Sequence, residues 1–301
     1  MSKSHRPRIR IGGKLGDDLT VIAMITKQIT VDPVYLVWNH SAWCPMACKA
    51  FRSRRRARRE ALALSSLRHP NIVRCFGHLE PVYTLMEYLA GPTLQAYIGM
   101  QRHGRMSISD AIRVAIHIGA ALEHTHAHGF LHLDVKPANI IVVNGRPVLF
   151  DFGSMREKHA VRPDHAEGTD RYMSPEEASL GKATEASDVF SLGVTLFEML
   201  TGRRPFRDGT RRLPRPQIKE TPLRLRQFRP AIPAALERIV HGCLERQPGD
   251  RPSLAQLLPD LNKLITTGPR MWPANLKPHR RRRAPLPQAT ARREKRRLAI
   301  R

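Results

Sequence analysis

Acidic residues are scarce in this chain, and the imbalance restricts what it can bind. Its 301 residues include 51 Lys and Arg but only 26 Asp and Glu, which gives a formal net charge of +25. Because these carboxylates cannot pair with every cation, some arginine must face water or an anionic partner. The charge balance therefore favours contact with polyanions such as nucleic acid, an anionic membrane or acidic substrates.

Cysteine and long apolar runs are also in short supply. The four cysteines are too few and too scattered for a disulfide framework, and no further Cys or His completes a zinc spacing around Cys44 and Cys48. No run of about 18 apolar residues occurs, and the basic N-terminus lacks the apolar core of a signal peptide. We therefore expect reduced thiols, no transmembrane segment and a cytoplasmic protein.

Apolar residues are plentiful enough for a globular core, at 41% of the chain. Three segments rich in β-branched and apolar residues, 19–25, 34–38 and 46–51, predict antiparallel strands. Apolar spacings of three and four predict helices at 54–67 and 108–126, the second with Ser109 as its N-cap signal.

The most specific motif is HLDVKPAN at residues 132–139, followed by Asp151 and its neighbours in DFG. In phosphoryl transfer, Asp134 can accept the proton of a substrate hydroxyl and Lys136 can face the transferred phosphate. Asn139 and Asp151 offer oxygen ligands of the kind Mg²⁺ prefers. Two short strands, 140–143 and 148–150, joined by a turn, would bring these two ligands together.

These motifs resemble the catalytic domain of bacterial-type (Hanks-type) serine/threonine protein kinases. MACK at 46–49, GTDRYMSPE at 168–176 and PGDRPS at 248–253 extend the similarity along most of the chain. The resemblance implies an α+β, two-lobed fold with a small antiparallel N-lobe carrying one helix and a larger, mainly helical C-lobe. It also implies ATP with Mg²⁺ or Mn²⁺ as cofactors and protein Ser/Thr hydroxyls as substrates.

On this resemblance the chain divides into three parts. Residues 1–18 would be a flexible basic N-terminus, and 268–301 a disordered basic tail. The kinase domain would occupy 19–267, with an N-lobe at about 19–86 and a C-lobe at about 90–267.

The resemblance also assigns roles to individual residues. Asp134 would be the catalytic base, Lys136 the charge stabiliser, and Asn139 and Asp151 the metal ligands. ATP would contact Lys49, Glu60, Val34, Ala47, Met86, Glu87, Leu89 and Ile141. Structural or substrate-loop roles fall to His132, Phe152, Gly153, Thr169, Glu176, Asp188 and Arg251.

The chain departs from the family where a glycine-rich loop usually covers the phosphates. Lys27, Ile29 and Asp32 stand at the three glycine positions. Asp32 would repel polyphosphate unless a metal or Lys27 compensated its charge. This departure leaves a second reading open, in which the chain is a pseudokinase that acts as a binding scaffold.

A further departure concerns regulation. Leu133 stands where many kinases carry an arginine that receives a phosphorylated activation loop, and Ser154 is the only hydroxyl residue of that loop before Thr169. Both observations argue against switching by loop phosphorylation.

Arginine is concentrated at residues 52–59 and in the tail from 269 onward. The first cluster is either a solvated helix face or a non-specific anion patch, and the tail is either merely disordered or a polyanion contact.

Overall fold

An antiparallel sheet of six strands forms the N-terminal part of the protein in a computed structural model, which describes residues 9–26, 32–80, 82–158, 169–210 and 213–265. The strands lie in the order β1-β2-β3-β4-β6-β5. Their bounds are β1 Lys14–Leu15, β2 Leu19–Met24, β3 Val34–Asn39, β4 Cys44–Ala50, β5 Cys75–Leu79 and β6 Tyr83–Glu87. All three segments predicted as strands are confirmed, with ends shifted by one or two residues.

One face of the sheet is buried in a small apolar core. Val21, Val37, Cys48 and Leu85 come from four different strands and are at most 8% exposed. Since successive side chains of a strand alternate between the two faces of the sheet, the residues between these four lie on the opposite face. Val34 pairs with Lys49 across β3 and β4, so both belong to the face that borders the cavity described below.

The segment expected to be a flexible N-terminus contains strand β1 in the part that the structure describes, residues 9–18, and its flexibility stays a prediction. Lys14 and Leu15 pair with Thr20 and Leu19 in a tight hairpin. Gly16 has a φ of 65°, which a glycine adopts at little cost and which lets the chain reverse between the two strands. Residues 1–8 lie outside the described residues.

The one helix among the described residues of this part is α1 at Arg54–Ser66, which lies between β4 and β5 in sequence. Ser53 caps its start by accepting a hydrogen bond from the amide of Arg56. Ala57, Glu60, Ala61 and Leu64 are buried at spacings of three and four, which is the stripe expected for a helix packed on one side. Glu60 is the one charged residue in that stripe, and it therefore needs a buried partner.

The described residues that follow are mainly helical, with four short strands. Its helices are α2 Leu94–Met100, α3 Ile108–Ala127, α4 Pro175–Ala178, α5 Glu185–Thr201, α6 Leu225–Phe228, α7 Ala234–Cys243 and α8 Leu254–Lys263. Its strands are β7 Phe130–Leu131, β8 Ile140–Val143, β9 Arg146–Leu149 and β10 Arg156–Glu157. The α+β class and the division into a sheet-rich and a helix-rich part are confirmed.

The N-cap of the long helix α3 lies two residues earlier than the sequence suggested, although the helix begins at Ile108 as predicted. Ser107, not Ser109, is the N-cap, and its hydroxyl accepts a hydrogen bond from the amide of Asp110 at 3.0 Å. Both serines fit the cap preference, and only the backbone conformation distinguishes them, because the cap residue must be extended rather than helical.

The helical core centres on α5, which packs between α3 and α7. A Cβ at Gly193 of α5 would lie 2.7 Å from the Cβ of Cys243 on α7, so these helices approach too closely for any larger residue. All four cysteines are free thiols. Among the residues described, no helix is both long and apolar enough to span a bilayer.

Candidate active site

A buried carboxylate, Asp188 near the start of α5, holds the backbone of the 132–139 motif. It is fully buried and accepts hydrogen bonds from the amides of His132 at 2.9 Å and Leu133 at 2.8 Å. The Nε2 atom of His126 lies 2.7 Å from the same carboxylate. Burial alone would raise the pKa of Asp188, but these contacts outweigh it and lower the pKa. The carboxylate therefore stays charged and fixed.

The backbone that Asp188 holds is an unusual one. Leu133 has a φ of 61°, in the left-handed region that costs an L-residue about 1–2 kcal/mol. The two amide hydrogen bonds to Asp188 stabilise this turn immediately before Asp134. Asp134 thus directly follows a rigid turn, which fixes the direction of its side chain.

Asp134 forms a closed polar group with two other predicted site residues. Its Oδ2 atom accepts a hydrogen bond from Lys136 Nζ at 2.7 Å, and its Oδ1 atom accepts one from the Thr169 hydroxyl at 2.9 Å. Lys136 Nζ also donates to Thr169 Oγ1. Although Thr169 is 33 residues from Lys136 in sequence, it orients both side chains.

The two predicted metal ligands, Asn139 and Asp151, stand at the open end of the hairpin made by β8 and β9. The amide of Phe150 donates to the carbonyl oxygen of Asn139 at 3.0 Å, which joins the two ends of the hairpin. The Asn139 side chain donates through Nδ2 to the Asp134 carboxylate at 2.7 Å. Because Nδ2 is used in this bond, Oδ1 is the side-chain atom of Asn139 that could bind a metal.

Lys49 on β4 joins α1 to the Asp151 carboxylate. Its ammonium lies 3.0 and 2.9 Å from the two carboxylate oxygens of Glu60 and 2.8 Å from Asp151 Oδ1. Burial opposes the charge on Lys49, but the two carboxylates overcome it and raise the pKa of the ammonium. Burial likewise opposes the charge on Asp151, yet Lys49 lowers its pKa to about 2. Lys49 and Asp151 are therefore ionised at neutral pH, whereas burial raises the pKa of Glu60 against the opposing effect of Lys49.

A cavity of about 910 Å³ lies between the sheet and the helical part. All eight residues expected to contact ATP line it, and so do Asp151 and Gly153. The apolar lining is provided mainly by β3, β4, β6 and β8. The charged lining is provided by Lys49, Glu60, Asp151, Asp32 and Arg56, with Glu87 on β6 as a further carboxylate. The cavity therefore has one apolar end and one charged end, which is the arrangement needed for a flat apolar ring joined to anions.

Three further predicted residues, His132, Phe152 and Gly153, pack next to this site. His132 is fully buried, and its ring meets the buried Phe152 ring edge to face, with 4.6 Å between centroids. The burial of His132 lowers its pKa, and the Nδ1 atom accepts a hydrogen bond from the Asp134 amide at 3.3 Å. A Cβ at Gly153 would lie 3.3 Å from Lys49 Nζ, so a side chain there would crowd the lysine.

Glu176 and Arg251 form an ion pair in the helical part, with 2.7 Å between Nη2 and Oε2. Ser187 at the start of α5 also donates to Glu176, at 2.7 Å. Burial raises the pKa of Glu176, but the hydrogen bonds from Arg251 and Ser187 outweigh it and lower the pKa. The pair connects the segment after Thr169 to α5 and to the turn before α8.

Asp32 is compensated by a residue that the sequence analysis did not identify. Its Oδ2 atom lies 3.1 Å from Nη1 of Arg56, and its Oδ1 atom accepts from the amide of Arg52 at 3.2 Å. Neither a metal nor Lys27 is needed for this; Lys27 and Ile29 lie outside the described residues. The sequence indicated only the direction in which Arg56 projects, because Arg56 is four residues before Glu60 and thus shares its face of α1; it did not indicate the pairing with Asp32.

The arginine cluster at 52–59 is only partly a solvated helix face. Arg58 pairs with Glu80 at 3.0 Å, and Arg59 donates to the carbonyl oxygen of Met155 at 2.8 Å. Arg54 and Arg55 remain exposed. The basic tail lies outside the described residues, so the polyanion contact expected of it stays a prediction.

Comparison with known proteins agrees with this geometry. The family model for the protein kinase domain matches residues 31–261. The chain is similar to serine/threonine-protein kinase PrkC of Bacillus subtilis, with 35% identity over 212 residues, covering 67% of this chain and 32% of PrkC. It is also similar to serine/threonine-protein kinase PksC of Streptomyces coelicolor, with 32% identity over 267 residues, covering 83% of this chain and 46% of PksC. The chain thus spans less than half the length of these relatives.

The solved PknI kinase domain of Mycobacterium tuberculosis has the same fold. The two superpose with a TM-score of 0.67 at 24% sequence identity, over 84% of this chain and 98% of the PknI domain. The antiparallel sheet with one helix is the N-lobe of this fold, and the helical part is its C-lobe. The chain therefore belongs to the protein kinase family and carries a Hanks-type catalytic domain.

Proposed function

We propose that the protein transfers the γ-phosphate of ATP to serine or threonine hydroxyls of proteins, with Mg²⁺ or Mn²⁺ as the metal. The observation that carries this proposal is the connection of two polar groups through the hairpin of β8 and β9, where Asn139 donates to Asp134 and bonds the residue before Asp151. Asp134, Lys136 and Thr169 form one group, while Lys49, Glu60 and Asp151 form the other. The names of the bacterial relatives, all serine/threonine kinases, support the choice of hydroxyl substrate.

In this mechanism Asp134 accepts the proton of the substrate hydroxyl. The whole Asp134 residue is 8% exposed, so little water competes with the substrate hydroxyl for its carboxylate. Lys136 neutralises charge on the transferred phosphoryl group, and Thr169 keeps the two side chains in register. Positioning and charge neutralisation are the main contributions that a protein makes to phosphoryl transfer.

The metal and nucleotide would be held at the charged end of the cavity. Asn139 and Asp151 offer one amide oxygen and one carboxylate, which suits Mg²⁺ because it binds few protein ligands and completes its shell with phosphate and water. The Asp151 side chain is 42% exposed and can therefore reach a ligand while it contacts Lys49. The bound metal would neutralise charge between the phosphates, and Lys49 would contact them from β4.

The rival function, a pseudokinase scaffold, was motivated by the missing glycines and by the charge of Asp32. The ion pair of Asp32 with Arg56 removes much of the expected repulsion. The retained Asp134, Asn139 and Asp151 favour the enzyme. The rival remains an outcome of the test below.

Radiolabelled ATP distinguishes the two functions. We expect the wild type to transfer label to itself or to a generic basic substrate, and Asp134→Asn to transfer it about 10²- to 10⁴-fold more slowly, the usual contribution of a general base. Calorimetric ATP binding should change little, because Asp134 acts on the hydroxyl. Asp260→Asn is the matched control, since Asp260 is exposed on α8 and pairs only with Lys263 among the residues described.

Two results would overturn this proposal. A wild type that binds ATP but transfers no label would be a scaffold. Undiminished transfer by Asp134→Asn would show that another group serves as the base.

A further inference from the structure

Arg56 is a second cation at the charged end of the cavity, in addition to Lys49. It lies on α1 one turn before Glu60, and both side chains line the cavity together with Lys49 and Asp151. Residues four apart share a helix face, so the ion pair between Glu60 and Lys49 also fixes the direction in which Arg56 projects. Arg56 thus faces the space where anions would lie.

The partner of Arg56 is held more tightly than Arg56 itself. The Asp32 side chain is 7% exposed, accepts a hydrogen bond from the backbone amide of Arg52, and forms an ion pair with Arg56. The Arg56 side chain is 46% exposed. Asp32 therefore acts as a fixed anchor, and the guanidinium extends from it toward the cavity.

The contact with Asp32 leaves most of the guanidinium available. An arginine has five N–H donors, and within the described ranges a single Nη atom of Arg56 reaches the carboxylate. A planar guanidinium binds phosphate oxygens through paired N–H groups, better than the point charge of a lysine does. Arg56 can accordingly keep Asp32 and still donate to a phosphate.

We propose that Arg56 is a phosphate-binding residue of the nucleotide site, held in position by Asp32. A side chain from α1 thereby supplies donors that a glycine-rich loop would supply from its backbone amides. This role rests on the nucleotide binding proposed above, and it names the residue that selects a phosphorylated ligand. The site discriminates phosphate-bearing nucleotides from the nucleoside through Arg56.

Calorimetry with ATP, ADP and adenosine tests this proposal on the full chain. We expect Arg56→Gln to weaken ATP and ADP about tenfold, the scale of one charge-assisted hydrogen bond in a half-exposed position. Adenosine has no phosphate, so its affinity should not change. Arg55→Gln is the matched control. Arg55 is the exposed neighbour of Arg56 on α1 and does not line the cavity, so this substitution removes the same charge from outside the cavity.

A second background separates direct contact from mere neutralisation of Asp32. In Asp32→Asn the charge is gone, but the side-chain oxygen that can accept a hydrogen bond from Arg56 remains, so Arg56 keeps its anchor while an arginine whose only role was to neutralise the charge would no longer matter. We expect Arg56→Gln to weaken ATP in this background as well, and by a similar factor. Loss of the effect in Asp32→Asn would overturn direct phosphate contact.

The remaining outcomes are equally decisive. An equal loss of ATP affinity in Arg55→Gln would show a general field effect and overturn the proposal. An equal loss of adenosine affinity in Arg56→Gln would show that the arginine only maintains the shape of the cavity. If the wild type binds ATP but transfers no phosphate, the proposed activity fails while the role of Arg56 is still tested by binding.

Discussion

The guanidinium of Arg251 forms two parallel hydrogen bonds with the carboxylate of Glu176, at 2.8 Å between Nη1 and Oε1 and at 2.7 Å between Nη2 and Oε2. The Arg251 side chain is fully buried, and its remaining donors reach the carbonyl oxygens of Ala186, Glu245 and Arg246. One side chain thus joins Glu176 and Ala186, which are 75 and 65 residues away in sequence, to the turn before α8.

Removal of this arginine should destabilise the whole C-lobe. Arg251→Ala leaves the Glu176 carboxylate and three carbonyl groups without their donor, and we expect the free energy of unfolding to fall by about 3–5 kcal/mol. Urea denaturation measures the change. The control is Arg238→Ala on α7, an exposed arginine, which should alter stability by less than about 0.5 kcal/mol. A similar small change in Arg251→Ala would contradict the structural role.

Asp151 should be essential for metal-dependent transfer but dispensable for folding. Its side chain is partly exposed, and Lys49 keeps Glu60 as a partner when Asp151 is lost. We therefore expect Asp151→Ala to abolish Mg²⁺-dependent transfer while circular dichroism and the melting temperature stay close to those of the wild type. Undiminished turnover in this variant would refute the metal assignment.

Phosphatase treatment should leave the activity unchanged. Leu133 offers no positive charge to a phosphorylated loop, and Ser154 is the only hydroxyl residue between Asp151 and Thr169. Thr169 is itself engaged by Asp134 and Lys136. Label transfer after treatment and removal of the phosphatase should match that of a mock-treated sample. A large loss that incubation with ATP restores would show that the loop is a switch, and Ser154→Ala would then be the first variant to examine.

The basic tail should bind polyanions without contributing to the fold. Residues 270–301 contain 12 Lys and Arg against one acidic residue, and the last helix, α8, ends at Lys263. We expect truncation after Thr267 to leave the melting temperature and ATP hydrolysis nearly unchanged. It should remove most of the salt-sensitive binding to labelled DNA or heparin, because each phosphate contact contributes a log–log salt slope of about −0.9.

Fluorescence anisotropy over a salt series measures this binding. Truncated protein that binds as before would move the basic site to residues 52–59, where Arg54 and Arg55 are exposed. Truncated protein that unfolds would show that the tail belongs to the folded domain.

Local structure was predictable from the sequence wherever a local rule applies. Segments rich in β-branched and apolar residues predicted three of the six described strands of the N-lobe, and spacings of three and four predicted α1 and α3, because these preferences follow from local backbone geometry. The apolar runs 140–143 and 148–150 predicted a hairpin, with Asn144 and Gly145 as its turn. Order along the chain was enough for all of these.

The sequence also determined which residue types could serve phosphoryl transfer, since the spacing of Asp134, Lys136, Asn139 and Asp151 lies within one short stretch. Only the tertiary structure decided how distant residues complete that stretch. The bond from Thr169 to Asp134 spans 35 residues and that from Lys49 to Asp151 spans 102, distances for which no helix or strand period exists. The ion pair of Asp32 with Arg56 belongs to the same class: packing of α1 against the sheet brings the two charges together, and no local rule of sequence specifies that approach.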